Sequence, residues 1–163
     1  MNTEMGEYIV GACLKLLRKC DFVDYNVRRP GGGLAGLNEI DVVGLDFKNK
    51  ITYLCEVTTH LEGTLYKDNK TTIERIKRKY EKLKEYADNY LSDFPQRHFM
   101  FWSPVVPIGY ITKELEKIEG LELVINNNYA AYIRLLQELA KKSTHDAGNP
   151  AFRVLQILGH LRK

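Results

Sequence analysis

Asn38–His60, NEIDVVGLDFKNKITYLCEVTTH, is the stretch that decides the fold. Its two halves, NEIDVVGLD and ITYLCEVTT, are rich in β-branched residues, and Lys48-Asn49-Lys50 between them supplies a polar turn. The stretch predicts two paired strands. Each apolar run contains an acid, Asp41 in the first and Glu56 in the second. Removing a carboxylate from water is costly unless a cation balances it. Two acids on paired strands therefore point to a shared cation. With a period of two, Glu56, Thr58 and His60 share one face, and Cys55, Val57 and Thr59 the other. The expectation is that Asp41 and Glu56 hold a hard divalent metal at an edge or end of the sheet.

Upstream, residues 5–19 (MGEYIVGACLKLLRK) have helical periodicity, with Tyr8, Ile9, Ala12, Leu16 and Leu17 on one stripe. Glu7 lies near the start of this helix, where a carboxylate favours the helix dipole. Residues 22–29 (FVDYNVRR) read as a strand. Residues 30–38 (PGGGLAGLN) hold five Gly or Pro in nine positions and read as a loop. It lacks the GK[ST] of a phosphate loop and no helix follows. It is either a long hairpin connection or a backbone that lies against a ligand.

Downstream, residues 61–70 are polar and irregular. A long helix runs from a cap at Thr71 or Thr72 to about Leu91, with Ile73, Ile76, Tyr80, Leu83 and Ala87 as its buried stripe. Its bases outnumber its acids, chiefly between Arg75 and Lys79, which suits phosphate contacts as well as plain solvation. Residues 98–102 (HFMFW) read as a buried strand. A loop (103–107), a helix (110–119), a strand (121–126), a helix (128–142), a linker (143–150) and an amphipathic helix (151–161) complete the chain. The order α-β-β-β-α-β-α-β-α-α is that of one α/β domain, a mixed sheet flanked by helices. The core spans about 5–126 and a C-terminal helical extension about 127–163.

At 163 residues and 44% hydrophobic, the chain is long enough to bury a core. No apolar run reaches transmembrane length and no signal pattern opens the sequence, so the expectation is a soluble intracellular (cytoplasmic) protein without a membrane role. Three cysteines argue against a disulfide framework, and no Cys/His spacing suggests zinc. A net charge of +3 permits nucleic-acid binding without requiring it.

Gly6-Glu7 opening the first helix, the strand at Asn26–Arg29, the glycine loop, Glu39-Ile40-Asp41 and then Glu56-Val57-Thr58 together resemble the PD-(D/E)XK nuclease superfamily, a restriction-endonuclease-like αβββαβ core. The flavour is that of archaeal Holliday-junction resolvases and related small nucleases. The resemblance covers about residues 6–60. It implies a metal-dependent DNA endonuclease, with Asp41 and Glu56, joined by Glu7, as ligands to Mg²⁺ or Mn²⁺, and DNA as partner. Arg28, Arg29, Gly32, Gly33, Lys67 and Lys70 are the candidate nucleic-acid contacts.

The chain departs from the family's pattern at one position: Thr58 stands where the motif lysine belongs. Three readings stay open. A lysine of the long helix has replaced it, with Lys77 and Lys79, each about 80° from the centre of the apolar stripe, as candidates, and Lys82 on the far side as solvated charge. Alternatively His60 assists. Otherwise the site is silent, and the chain is a nucleic-acid-binding or partner subunit. Beside nuclease and silent subunit, a third possible function is that of an ordinary structural domain in which Asp41 and Glu56 pair with Arg28 or Arg29. Residues 151–161 either form a homodimer contact or pack on their own domain.

Overall fold

The computed structural model describes residues 2–30, 39–63 and 66–162. Five strands form one sheet in the order of the chain: β1 (Phe22–Val27), β2 (Ile40–Asp46), β3 (Ile51–Val57), β4 (Gln96–Ser103) and β5 (Leu121–Ile125). β1, β2 and β3 pair antiparallel, and β3, β4 and β5 pair parallel. The helices are α1 (Met5–Ala12), α2 (Asn69–Tyr90), α3 (Tyr110–Glu116), α4 (Asn126–Lys142) and α5 (Pro150–Gly159). This is a mixed-sheet α/β fold, as the sequence predicts.

The two sheet faces follow the alternation of the strands. Val42, Tyr53, Cys55, Met100, Trp102 and Val124 point into a core shared with α1, α4 and α5. On the opposite face Val43 and Leu54 pack against Leu83 and Ala87 of α2. Phe101 packs there against Ile73, Ile76 and Tyr80 of α2 and Ile111 and Leu115 of α3. Glu56, one position from Cys55, consequently faces α2.

Several element ends differ from the sequence expectation. The first helix is α-helical only to Ala12; Cys13–Leu17 continue it as a π-helical turn. β1 stops at Val27 rather than Arg29. The cap of α2 is Asp68, whose carboxylate accepts the Thr71 amide at 2.7 Å. Thr72 is buried instead; its hydroxyl donates to the Asp68 carbonyl and accepts the Tyr66 amide, both at 2.8 Å. Among the described residues no helix is long and apolar enough to cross a membrane. Cys13, Cys20 and Cys55 are free and buried.

Candidate functional site

The site lies where β2 and β3 part. Their ladder runs from Asp46↔Ile51 to Val42↔Cys55. One step further, the Val57 amide donates to the Asp41 carboxylate at 2.7 Å instead of to a strand carbonyl. β1 is interrupted at the same level. Tyr25 pairs with Val42 and Val27 with Ile40 in one register, but Asn26 between them has φ 52°. A non-glycine residue in that region is uncommon, and asparagine tolerates it best. The sheet thus opens around Asp41 without losing register.

Glu56 is 5% exposed. Its carboxyl lies close enough to that of Asp41 for each to shift the other. Lys79 of α2 brings its Nζ to 2.7 Å from Glu56 Oε2. Burial, then the charge of Asp41, push the Glu56 carboxyl up to about 7, against the pull of Lys79. Asp41 is also raised, by burial, with the Val57 amide and Lys79 opposing. Burial alone would lower the Lys79 ammonium; Glu56 and Asp41 outweigh it and raise it. The three groups form one desolvated unit carrying two acids and one base.

Glu7 approaches from α1. Its Oε2 accepts the Glu4 amide at 2.9 Å, closing the first turn of the helix, and Asn26 Nδ2 at 3.3 Å. Burial raises its carboxyl, and Asp41 adds to the rise. Gly6 is what allows this helix so near the end of β3: a Cβ there would lie 2.0 Å from Thr59 Cγ2. Among the described residues, no group of three or more His, Cys, Asp or Glu side chains is gathered closely enough to hold a metal. Glu7 therefore caps its helix and feels Asp41 without joining a three-acid ligand cluster. Asp41 and Glu56 remain a pair of hard oxygen donors, and Mg²⁺ is commonly held by one or two carboxylates with water filling the other positions. Both acids are raised by burial, and Asp41 raises Glu56 further, so a divalent cation between them would relieve the cost of charging the pair.

The other expected residues fall as follows. Thr58 is buried; its hydroxyl donates to Ser103 Oγ at 3.0 Å and its amide to the Trp102 carbonyl at 2.9 Å, pinning the end of β3 to β4. His60 is exposed, with its ring edge-on to Tyr66 at 6.0 Å, and Arg75 lies over the same tyrosine at 4.3 Å. Lys77 is exposed, and of the two candidate lysines Lys79 is the one on Glu56. Arg28 pairs with Glu39, not with Asp41 or Glu56. Arg29 lines a cleft with Glu39, Ile40, Glu56, Lys82 and Tyr86. Lys82 is exposed, about 140° from the centre of the α2 stripe, and borders this cleft with its long side chain. Lys67 is exposed just before α2 and Lys70 in its first turn. Gly32 and Gly33 lie outside the described residues.

Lys82, Glu85, Tyr86, Asn89 and Tyr90 of α2 also line the cleft, and sequence reasoning placed none of them there. At about 100° per residue, Lys79, Lys82 and Tyr86 all lie on one flank of the α2 stripe and Lys77 on the other. The sequence shows both flanks as equivalent. Packing distinguishes them: Tyr80, on the Lys77 side, donates to the Glu119 carbonyl at 2.9 Å, so that flank faces α3 and β5 while the other faces β2 and β3. No protein-family model matches the chain, and a search of curated proteins finds no significant match.

Proposed function

We propose that this chain is a metal-dependent DNA endonuclease of the PD-(D/E)XK type, in which Lys79 of α2 stands in for the missing motif lysine. The observation that carries the reading is the buried Asp41–Glu56 pair with the Lys79 ammonium 2.7 Å from Glu56. Asp41 and Glu56 are the residues that would hold Mg²⁺ or Mn²⁺. Once bound, the ion supplies Lewis acidity, acidifying water and drawing off charge that develops at phosphorus. Lys79, stiffened by its place on a 22-residue helix, would orient the attacking water and offset charge on the phosphate. Arg29 and Lys82 flank the same cleft and would neutralise neighbouring phosphates. Thr58, which donates its hydroxyl to Ser103, would hold the end of β3 against β4.

The silent-subunit reading has one observation in its favour. The Lys79–Glu56 bond neutralises one carboxylate without any metal. Nicking of supercoiled DNA separates the two readings. The nuclease reading predicts relaxation in Mg²⁺ or Mn²⁺, none in EDTA, and a metal-dependent rise in melting temperature. Intact DNA together with an unmoved melting temperature would leave the silent subunit or the structural domain.

A further inference from the structure

The cations on the flank of α2 that carries Lys79 extend past the acid pair in both directions. Arg75, Lys79 and Lys82 stand at i, i+4 and i+7, within about 60° of one another at roughly 100° per residue. The acids Glu74, Glu81 and Glu85 of the same helix fall about 80–120° round from Arg75. Glu74 lies against Lys70 at 4.0 Å and Glu81 against Lys84 at 2.9 Å. Lys79 is held by Glu56, and Lys82 borders the cleft one turn towards the C-terminus. Arg75, one turn towards the N-terminus, is exposed, and among the described residues it joins no ion pair.

Arg75 is nevertheless held in place. Its guanidinium lies over the Tyr66 ring, 4.3 Å from the centroid. Tyr66 is in turn tied to the start of α2. Its amide donates to Thr72 Oγ1 at 2.8 Å, and its carbonyl accepts the Asp68 amide at 2.7 Å. Thr72 is fully buried, so this anchor belongs to the packed part of the helix. His60, beyond Glu56 at the end of β3, sets its ring edge-on to the same tyrosine at 6.0 Å. The Tyr66 phenol also stands near Lys79: burial lowers that ammonium, Glu56 and Asp41 lift it, and the phenol adds to the lift. Two acids precede the helix. Asp68 turns its carboxylate to the Thr71 amide at 2.7 Å, and Glu62 is exposed without an ion pair among the described residues.

A guanidinium stacked on an aromatic face keeps its N–H edge free, and that edge matches a phosphate. Side chains three or four apart on a helix have Cβ atoms about 5–6 Å apart, so a row of such cations follows a strand rather than gathering on one group. We propose that Tyr66 and Arg75 form a clamp for the phosphate next to the one at the Asp41–Glu56 pair, on the side opposite Lys82. Arg75 binds that phosphate, and Tyr66 is a positioning residue that orients Arg75. The proposal rests on the nuclease reading for the identity of the ligand. It adds a requirement to that reading: the bond that is cut carries a phosphate on either side, and cleavage beside a strand end that lacks one is slow.

The test uses the full chain as wild type, Arg75→Gln, Arg75→Lys, Tyr66→Phe and Tyr66→Ala, each checked for folding by its melting temperature. Binding of a duplex oligonucleotide in EDTA is measured over a range of salt. The slope of log affinity against log salt should be shallower by about 1 for Arg75→Gln, the loss of one phosphate contact. In Mg²⁺, single-turnover cleavage is compared on DNA carrying a neutral methylphosphonate at each phosphate next to the cut. Wild type should lose about 10-fold at one of them, the size of one charge-assisted hydrogen bond. Arg75→Gln should be slower by the same factor on unmodified DNA and lose nothing more at that position. Arg75→Lys lacks the planar fork and Tyr66→Ala the surface that orients it, so both should fall between. Tyr66→Phe keeps the ring and should retain the contact. A shallower slope without cleavage by any form would keep the clamp and discard the nuclease. Cleavage with an unchanged slope, or with Arg75→Gln as sensitive to the neutral phosphates as wild type, would discard the clamp and keep the nuclease. Tyr66→Phe as slow as Tyr66→Ala would overturn the part given to the tyrosine ring, and a wild type that does not bind DNA would overturn both readings.

Discussion

At the scale of residues, the account turns on how one cation and two acids share a desolvated space. Glu56 has a folded pKa of about 7 against an ordinary value of 4.5. Between those values the folded protein keeps a proton that the unfolded chain has released. Its contribution therefore favours folding at low pH and is lost as pH rises from about 4.5 through about 7. In EDTA, the stability of wild type relative to Glu56→Gln should fall over that window, by at most about 1.4 kcal/mol per pH unit for one proton. Denaturant titrations at several pH values measure it. A difference that rises with pH would mean that the carboxylate is stabilised by its surroundings and that Lys79 dominates.

The same pair shows what could be read before the structure. Asp41 and Glu56 stood out because acids interrupt apolar strand runs, and the alternation of β3 placed Glu56 opposite Cys55, as observed. Lys79 could be narrowed to one of two positions and no further, because periodicity measures distance from the buried stripe without saying which neighbour each flank meets. Glu7 could be read as helix cap or ligand; its bond from the Glu4 amide is that of a cap, while its bond from Asn26 ties α1 to β1.

At the scale of elements, the site depends on how closely α1 approaches the end of β3. Gly6 sits against Thr59 with no space for a methyl group. Gly6→Ala should shift α1 outward, carrying Glu7 with it, and destabilise the protein by about 1–3 kcal/mol, the usual cost of overpacking. Thermal unfolding would check this, with Glu7→Gln as comparison; an unchanged melting temperature would show that the helix start yields freely. The element order was readable throughout, because strand runs and helical stripes differ in period. Ends were less so. The cap of α2 escaped because Asp68 and Thr72 divide between them the bonds that a single threonine was expected to make. The π-helical turn after Ala12 leaves no mark in the apolar pattern.

At the scale of the molecule, α5 carries two apolar faces. Ala151 and Phe152 are buried on the domain, Val154, Ile157 and Leu158 are exposed at helical spacing, and Leu161 is exposed just past the helix end rather than within it as expected. Both readings of this segment had a physical basis, since the helix packs on its own domain and still leaves a stripe uncovered. A nuclease that cuts both strands needs two sites, and self-association through this stripe would provide them. Ile157→Glu with Leu158→Glu should then convert dimer to monomer in sedimentation and slow second-strand cleavage while leaving nicking intact. A wild type that sediments as monomer at all concentrations would exclude that arrangement.

The measurement that bears most directly on the central claim is single-turnover cleavage of DNA in Mg²⁺ by wild type, Asp41→Ala, Glu56→Ala, Lys79→Met and Lys77→Met, each checked for folding. The account predicts no cleavage by the two acid variants. It predicts a loss of about 10²-fold or more for Lys79→Met, on the order of 3 kcal/mol in the barrier. Lys77→Met, whose side chain points away from the pair, should cut at nearly the wild-type rate. Equal, small effects at both lysines, or cleavage by Asp41→Ala or Glu56→Ala at the wild-type rate, would contradict it.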